Sequence, residues 1–303
     1  MSISVQKYYY SEFGECLKVT NGKVDIITAL GFGIRILHFG LAGMDNVFCL
    51  APGVKVSVGE TEWSAYGGHR LWLSPEEMPK TYFPDDLPIG YEIKNDTVIL
   101  TQPLDGWANV AKQLEFTISD NKAKVLHRIT NRNDHPIEFA VAAVSMMAPG
   151  GIEIIPFTGP DTGLTNNRSV SVWPYTDMND SRVKWLKDHI ILTHDSSVKA
   201  PFKIGVDNAS GWAAYVNGQN VFIKRYRYIE EEKYPDNNVS YETYTCDYTT
   251  EMGTLSPLKS VAPGESLEHT EEWSVVHITP GSDLKDGLSV GKFLSKLEPL
   301  IQS

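Results

Sequence analysis

The chain has 303 residues, with 27 Lys and Arg set against 38 Asp and Glu, a formal charge of −11. Hydrophobic residues make up 42% and charged residues 21%, the profile of a folded globular protein rather than a disordered one. Phosphate contacts need a local surplus of Lys and Arg, and the densest basic stretch, Lys224-Arg225-Tyr226-Arg227, soon meets Glu230-Glu231-Glu232, so nucleic acid and anionic membrane are excluded as main partners.

Taken in chain order, the dominant hydrophobic period is two. Short runs at 16–20, 23–29, 34–39, 54–59 and 97–102 predict strands. In the next, Leu114, Phe116 and Ile118 alternate with Gln113, Glu115 and Thr117, as a strand with one buried face requires. Further strands are predicted at 122–130, 137–146, 190–193, 211–216, 221–228, 240–246 and 266–278. Asn21-Gly22 reads as a hairpin turn, and Asp120-Asn121, Asn217-Gly218 and Pro263-Gly264 read the same way. At the C-terminus Leu284, Leu288, Leu294, Leu297 and Ile301 fall near helical spacing. They predict a helix over about 283–301 packed on the sheet surface, weakened by Gly287 and Gly291.

Many short strands separated by turn formers indicate an all-β antiparallel sandwich rather than alternating βα units. With no linker, repeat or low-complexity segment, a single domain over 1–303 is expected. The loops 74–90 and 156–180 exceed the about 12–15 residues typical of structureless connections. Their Pro, aromatic and Asp/Asn content suits ordered binding loops.

The N-terminal ten residues lack a signal-peptide pattern. The longest apolar run, 139–148, is interrupted by Ser145 and far short of the roughly 20 residues a membrane-spanning helix needs. Cys16, Cys49 and Cys246 are too few and too far apart for a disulfide framework or a C-x-x-C pair. A cytoplasmic protein, monomeric or homodimeric, is expected. There is no phosphate loop, dinucleotide fingerprint or nucleophile elbow. The eight His include no H-x-H and no H-E-x-x-H, so any metal site would have to be assembled from distant segments. No metal and no cofactor is expected.

Three segments carry chemistry. Gly67-Gly68-His69-Arg70-Leu71-Trp72, followed by Glu76, places paired glycines before an imidazole, a guanidinium and an indole. Such a set suits a hydroxyl-rich ligand, with an aromatic face for the ring and charged groups for the hydroxyls. It equally fits a tight turn entering a core strand, with Arg70 and Glu76 in an internal ion pair. The second segment, 221–228, carries charge on both strand faces and leads to Tyr234 and Asp236. Arg225 there either lines a cleft or belongs to an edge strand guarded by charge. The third holds Glu242 and then Glu251, which stands in an otherwise uncharged stretch just before Met252-Gly253.

In order along most of the chain these segments resemble the galactose mutarotase-like (aldose 1-epimerase-like) superfamily, and more narrowly a bacterial branch of it. The resemblance is carried by Gly31-Phe32-Gly33-Ile34-Arg35-Ile36, Gly67-Gly68-His69-Arg70, Tyr244-Thr245-Cys246-Asp247 before Glu251, and Pro263-Gly264-Glu265. It implies a β-supersandwich with a short C-terminal helix, and a small-molecule sugar or sugar derivative as partner. In that family a Glu takes the proton of the anomeric hydroxyl while a His protonates the ring oxygen. The resemblance makes Glu251 the base, His69 the acid or hydroxyl binder, and Arg70 a substrate anchor. Trp72, Glu76, Arg225, Tyr234, Asp236 and Glu242 complete the expected binding set. The family's second His has no counterpart, since Val144-Ser145-Met146-Met147 stands at its position. The resemblance therefore points to an epimerase interconverting sugar anomers, or to a non-catalytic sugar-binding protein of the same fold. Catalysis requires Glu251 and His69 to converge on one substrate position.

Overall fold

The computed structural model describes residues 3–278, 284 and 287–301. Among them, eleven strands form one antiparallel sheet and ten a second. The first runs Ser4–Tyr10, Gly14–Thr20, Val24–Ala29, Arg35–Leu41, His69–Ser74, Ile137–Met147, Thr250–Leu255, Tyr241–Thr245, Phe202–Val206, Val170–Val172, with Lys259–Val261 also paired to Ile137–Met147. The second runs Val183–Trp185, His189–Thr193, Ile152–Pro156, Trp212–Asn217, Asn220–Tyr226, Ser266–His277, Lys122–Asn131, Val110–Ser119, Thr97–Thr101, Gly90–Lys94. A separate hairpin, Leu50–Val58 with Thr61–Gly67, covers part of the first sheet.

Local sequence explains much of this. Val110–Ser119 buries every second side chain, Leu114, Phe116 and Ile118 among them. Hairpins form at Asn21-Gly22, Asp120-Asn121 and Asn217-Gly218, where Gly22, Asp120 and Gly218 supply positive φ. Pro263-Gly264 differs. The strand before it pairs with Ile137–Met147 of the first sheet and the strand after it with Lys122–Asn131 of the second, so this turn carries the chain across the sandwich.

The main core lies between the sheets, around Phe39, Phe116, Phe222 and Trp273. The helix Gly287–Ile301 packs Val290, Phe293 and Leu297 onto Ile154, Ala214, Val221 and Ile223 of the second sheet's outer face. Position 283 of the expected helix lies outside the described residues, as do 285 and 286. The helix explains the odd strand 221–228. Val221 and Ile223 face it, while Lys224, flanked by Phe222 and Tyr226, enters the sandwich interior. Among the described residues no helix is long and apolar enough to cross a membrane.

The paired glycines serve strand approach. Gly67 and Gly68 have φ of +89° and +72°. A Cβ at Gly68 would lie 2.3 Å from the Ile36 carbonyl oxygen, and one at Gly67 2.3 Å from that of Cys49. Gly68→Ala is therefore expected to cost at least about 2 kcal/mol, from left-handed strain plus backbone overlap. Urea unfolding checks this, and a change within about 0.5 kcal/mol would mean that the turn relaxes freely.

Candidate functional site

Successive side chains on a strand point to opposite faces. On the outer face of the first sheet this alternation brings Arg70 and Trp72, Val144 and Met146, Glu251 and Gly253, Glu242 and Tyr244, and Lys203 to one cleft. The register aligns them: Arg70 is opposite Val144, Val144 opposite Gly253, and Glu251 opposite Tyr244. The hairpin adds Trp63, and the loop after Ser74 adds Glu76 and Tyr82. That loop is pinned by a two-pronged ion pair, Arg35 Nη1 and Nη2 donating to Asp85 at 2.6 and 3.1 Å. The cleft holds about 300 Å³.

Aromatic rings and paired charges line it. Trp72 packs on Trp63 and Tyr82 with ring centroids 5.1 and 4.9 Å apart. The Arg70 guanidinium lies 4.1 Å over Trp72. Its Nη2 donates to Glu251 Oε2 at 3.0 Å, and Nη1 stands 3.0 Å from Oε1. Lys203 bridges Glu76 and Glu242 at 2.9 and 2.8 Å and sits 4.2 Å over Trp173. Among the described residues, Arg70 Nε and the indole Nε1 of Trp63 are buried without a hydrogen-bond acceptor. Donors left in that state are costly and ready for a ligand oxygen.

Burial pushes the Glu242 carboxyl up to about 7, against the pull of Lys203 and helped by neighbouring Asp236. Burial opposes the charge on Lys203, but Glu242 and then Glu76 outweigh it and raise Lys203 above the usual lysine range.

Of the residues expected at the site, Arg70, Trp72, Glu76, Glu242 and Glu251 meet here, and Asp236 reaches Glu242 from the 235–238 turn. The proposed internal pair of Arg70 with Glu76 does not form, because Arg70 pairs with Glu251 and Glu76 with Lys203. Tyr234 is buried beside the cleft, stacked on Tyr228 and accepting a hydrogen bond from the Ile229 N–H. Arg225 belongs to the second sheet, where it pairs with Glu272 at 3.5 Å.

His69 requires the main correction. As the neighbour of Arg70 on one strand it points the other way, fully buried in the interior. There Nδ1 lies 2.9 Å from Ser145 Oγ and Nε2 lies 2.6 Å from His127 Nε2. Burial, then the charge of Lys224, holds its pKa well below the ordinary histidine value. It cannot face a substrate held by Glu251. Sequence reasoning missed Lys203, Trp63 and Tyr82, which reach the cleft from separate segments, and Trp173, whose ring lies under the Lys203 ammonium. Aromatic character was the only signal for Trp63, Tyr82 and Trp173, and Lys203 carried none.

The sequence matches no protein-family model and no curated protein. Solved structures do match. A TPR-domain containing protein from Parabacteroides distasonis aligns with TM-score 0.60 and 12% identity over 86% of this chain. The chain spans about half, 47%, of that protein. YeaD from Salmonella typhimurium, a candidate mutarotase, aligns with TM-score 0.58 and 11% identity over 90% of this chain and 94% of its own. A galactose mutarotase-like protein from Lactobacillus casei aligns with TM-score 0.52 and 9% identity over 86% of this chain and 100% of its own. The fold is galactose mutarotase-like.

Proposed function

We propose that the chain binds a sugar or sugar derivative in the cleft between Trp63, Trp72, Arg70 and Glu251. One observation carries this reading. Buried, unpartnered donors of Arg70 and Trp63 share a cleft with two indoles packed edge to face and an acceptor carboxylate. Indole faces suit the C–H side of a pyranose, while the guanidinium and Glu251 suit its hydroxyls. Both cations in the cleft are already paired with carboxylates, so the ligand is held by hydrogen bonds rather than by net charge.

A thermal-shift screen over free sugars, uronic acids and sugar phosphates tests the reading, because binding stabilises the folded state by mass action. One ligand class is expected to raise the Tm. Trp72→Ala and Glu251→Gln are each expected to weaken its binding at least about tenfold, the scale of one well-made hydrogen bond or stacking contact. No shift from any sugar would sink the proposal.

Glu242 favours a second reading, anomer interconversion. No imidazole lines the cleft among the described residues, but the Glu242 carboxyl, pushed up to about 7 by burial, stands in the same cleft as Glu251. Glu251 would then take the anomeric proton and Glu242 supply one to the ring oxygen. Saturation-transfer NMR on the ligand found by the screen separates the two readings. Exchange faster than buffer, abolished by Glu251→Gln and Glu242→Gln, supports catalysis, whereas binding without exchange leaves the binding reading alone.

A further inference from the structure

The interior beneath the cleft holds a second arrangement of ligating groups. We propose that His69, His127 and Glu271 form a buried site for a divalent transition-metal ion of the zinc class, clamping one sheet to the other. His69 comes from the first sheet, His127 and Glu271 from two paired strands of the second. All three are fully buried, and one ligand atom from each lies within 4.8 Å of the others. His69 Nε2 is 2.6 Å from His127 Nε2 and 3.9 Å from Glu271 Oε2.

The outer contacts aim these atoms inward. A carbonyl oxygen only accepts, so the 3.0 Å contact from His127 Nδ1 to the His269 carbonyl puts the proton on Nδ1 and the lone pair on Nε2. On His69 the Ser145 hydroxyl can accept from Nδ1 at 2.9 Å, which likewise leaves a lone pair on Nε2. The two lone pairs then face each other, an arrangement that a cation between them stabilises. Glu271 is equally oriented. Lys224 and the Thr254 hydroxyl donate to Oε1, and Trp273 Nε1 donates to Oε2 at 2.7 Å. Lys224 spends its other donors on the Ala143 and Met252 carbonyls. Ligating histidines and carboxylates fixed from behind in this way are the mark of metal sites.

Two imidazoles and one carboxylate suit Zn²⁺, Co²⁺ or Fe²⁺ and not the all-oxygen preference of Ca²⁺ or Mg²⁺. Tetrahedral bonds of about 2.0–2.1 Å would set the two nitrogens roughly 3.3 Å apart, so the rings need to separate by less than an ångström. Charge permits it: Lys224 is matched by Glu271 at 3.0 Å, and Arg35 and Arg70, whose charges also reach His69, are paired with Asp85 and Glu251. The rival arrangement is a metal-free hydrogen bond from His69 Nε2–H to His127 Nε2. The proposal is independent of sugar binding.

The test uses the full chain, stripped with chelator, loaded with Zn²⁺ and dialysed into metal-free buffer. Elemental analysis is expected to find one equivalent per chain, and hundredfold excess over Kd to raise the Tm by roughly 4 °C. His127→Gln and His69→Gln, checked for native β circular dichroism, should lose the equivalent and the Tm rise. No retained metal in the wild-type protein, or a full equivalent retained in both folded variants, overturns the proposal. Should the variants fail to fold, X-ray absorption at the zinc edge of the wild-type protein decides. Scattering from two imidazoles supports the site, and its absence overturns it.

Discussion

Replacing Lys224 by methionine is expected to destabilise the protein by about 3–5 kcal/mol, the scale for leaving one member of a buried ion pair alone. Lys224 and Glu271 are both fully buried and 3.0 Å apart. The ammonium gives one donor to Glu271 and two to carbonyls of the first sheet, so the residue ties the layers together. Methionine fills similar volume but supplies no donor, which leaves the Glu271 charge without its cation and removes one donor from each carbonyl. Glu271→Gln on the Lys224→Met background should recover part of the loss, because it removes the unpaired charge. Equilibrium urea unfolding of metal-free protein measures both variants. A Lys224→Met loss below about 1 kcal/mol, the range of an exposed pair, would show that the pair is solvated.

The second large effect is a pH dependence that belongs to Glu153. Its carboxyl is fully buried and accepts from Tyr241 and Thr243 at 2.5 and 2.6 Å. Burial nevertheless pushes its pKa up to about 7. The folded-state value stands above the unfolded one, so folding takes up a proton. The resulting stabilisation is complete below about pH 4.5 and is lost as the pH rises through about 7. Glu153→Gln removes this dependence while keeping a side chain that accepts one hydrogen bond and donates another. Relative to wild type, the variant should gain roughly 2–3 kcal/mol between pH 5 and pH 8, because each pH unit between the unfolded and folded pKa is worth about 1.4 kcal/mol. Parallel stability curves for the two proteins over that range would show that Glu153 does not titrate there. The buried His127 and His269, lowered to about 3 by burial, act with the opposite sign. Their stabilisation is present above about pH 6.5 and lost on acidification. Both proteins share it, so it cancels in the comparison.

Much of the site is legible without any tertiary information. Arg70, Trp72, Glu76, Glu242 and Glu251 stand out by residue type and motif order, and all line one cleft. The misplacement of His69 is avoidable in part. Once 69–74 is read as a strand, period two already sends His69 and Arg70 to opposite faces. Which face meets solvent stays open, because both neighbours are polar and both are buried. Arg225 fails for a related reason, since a strand covered on one side by a helix and on the other by the core shows no face preference in its own residues.

By itself the sequence determined what depends on neighbours along the chain: the alternating strands, the hairpins at Asn21-Gly22, Asp120-Asn121 and Asn217-Gly218, and the C-terminal amphipathic segment. These follow from backbone sterics and local burial, which a few residues suffice to express. Only the tertiary structure decided what depends on strand pairing. It sent Pro263-Gly264 across the sandwich, and it brought Lys203 and Glu242 to the Arg70 cleft. It also gathered His69, His127 and Glu271 from positions far apart in the chain. Register between distant strands is set by packing of the whole core, and no local pattern records it.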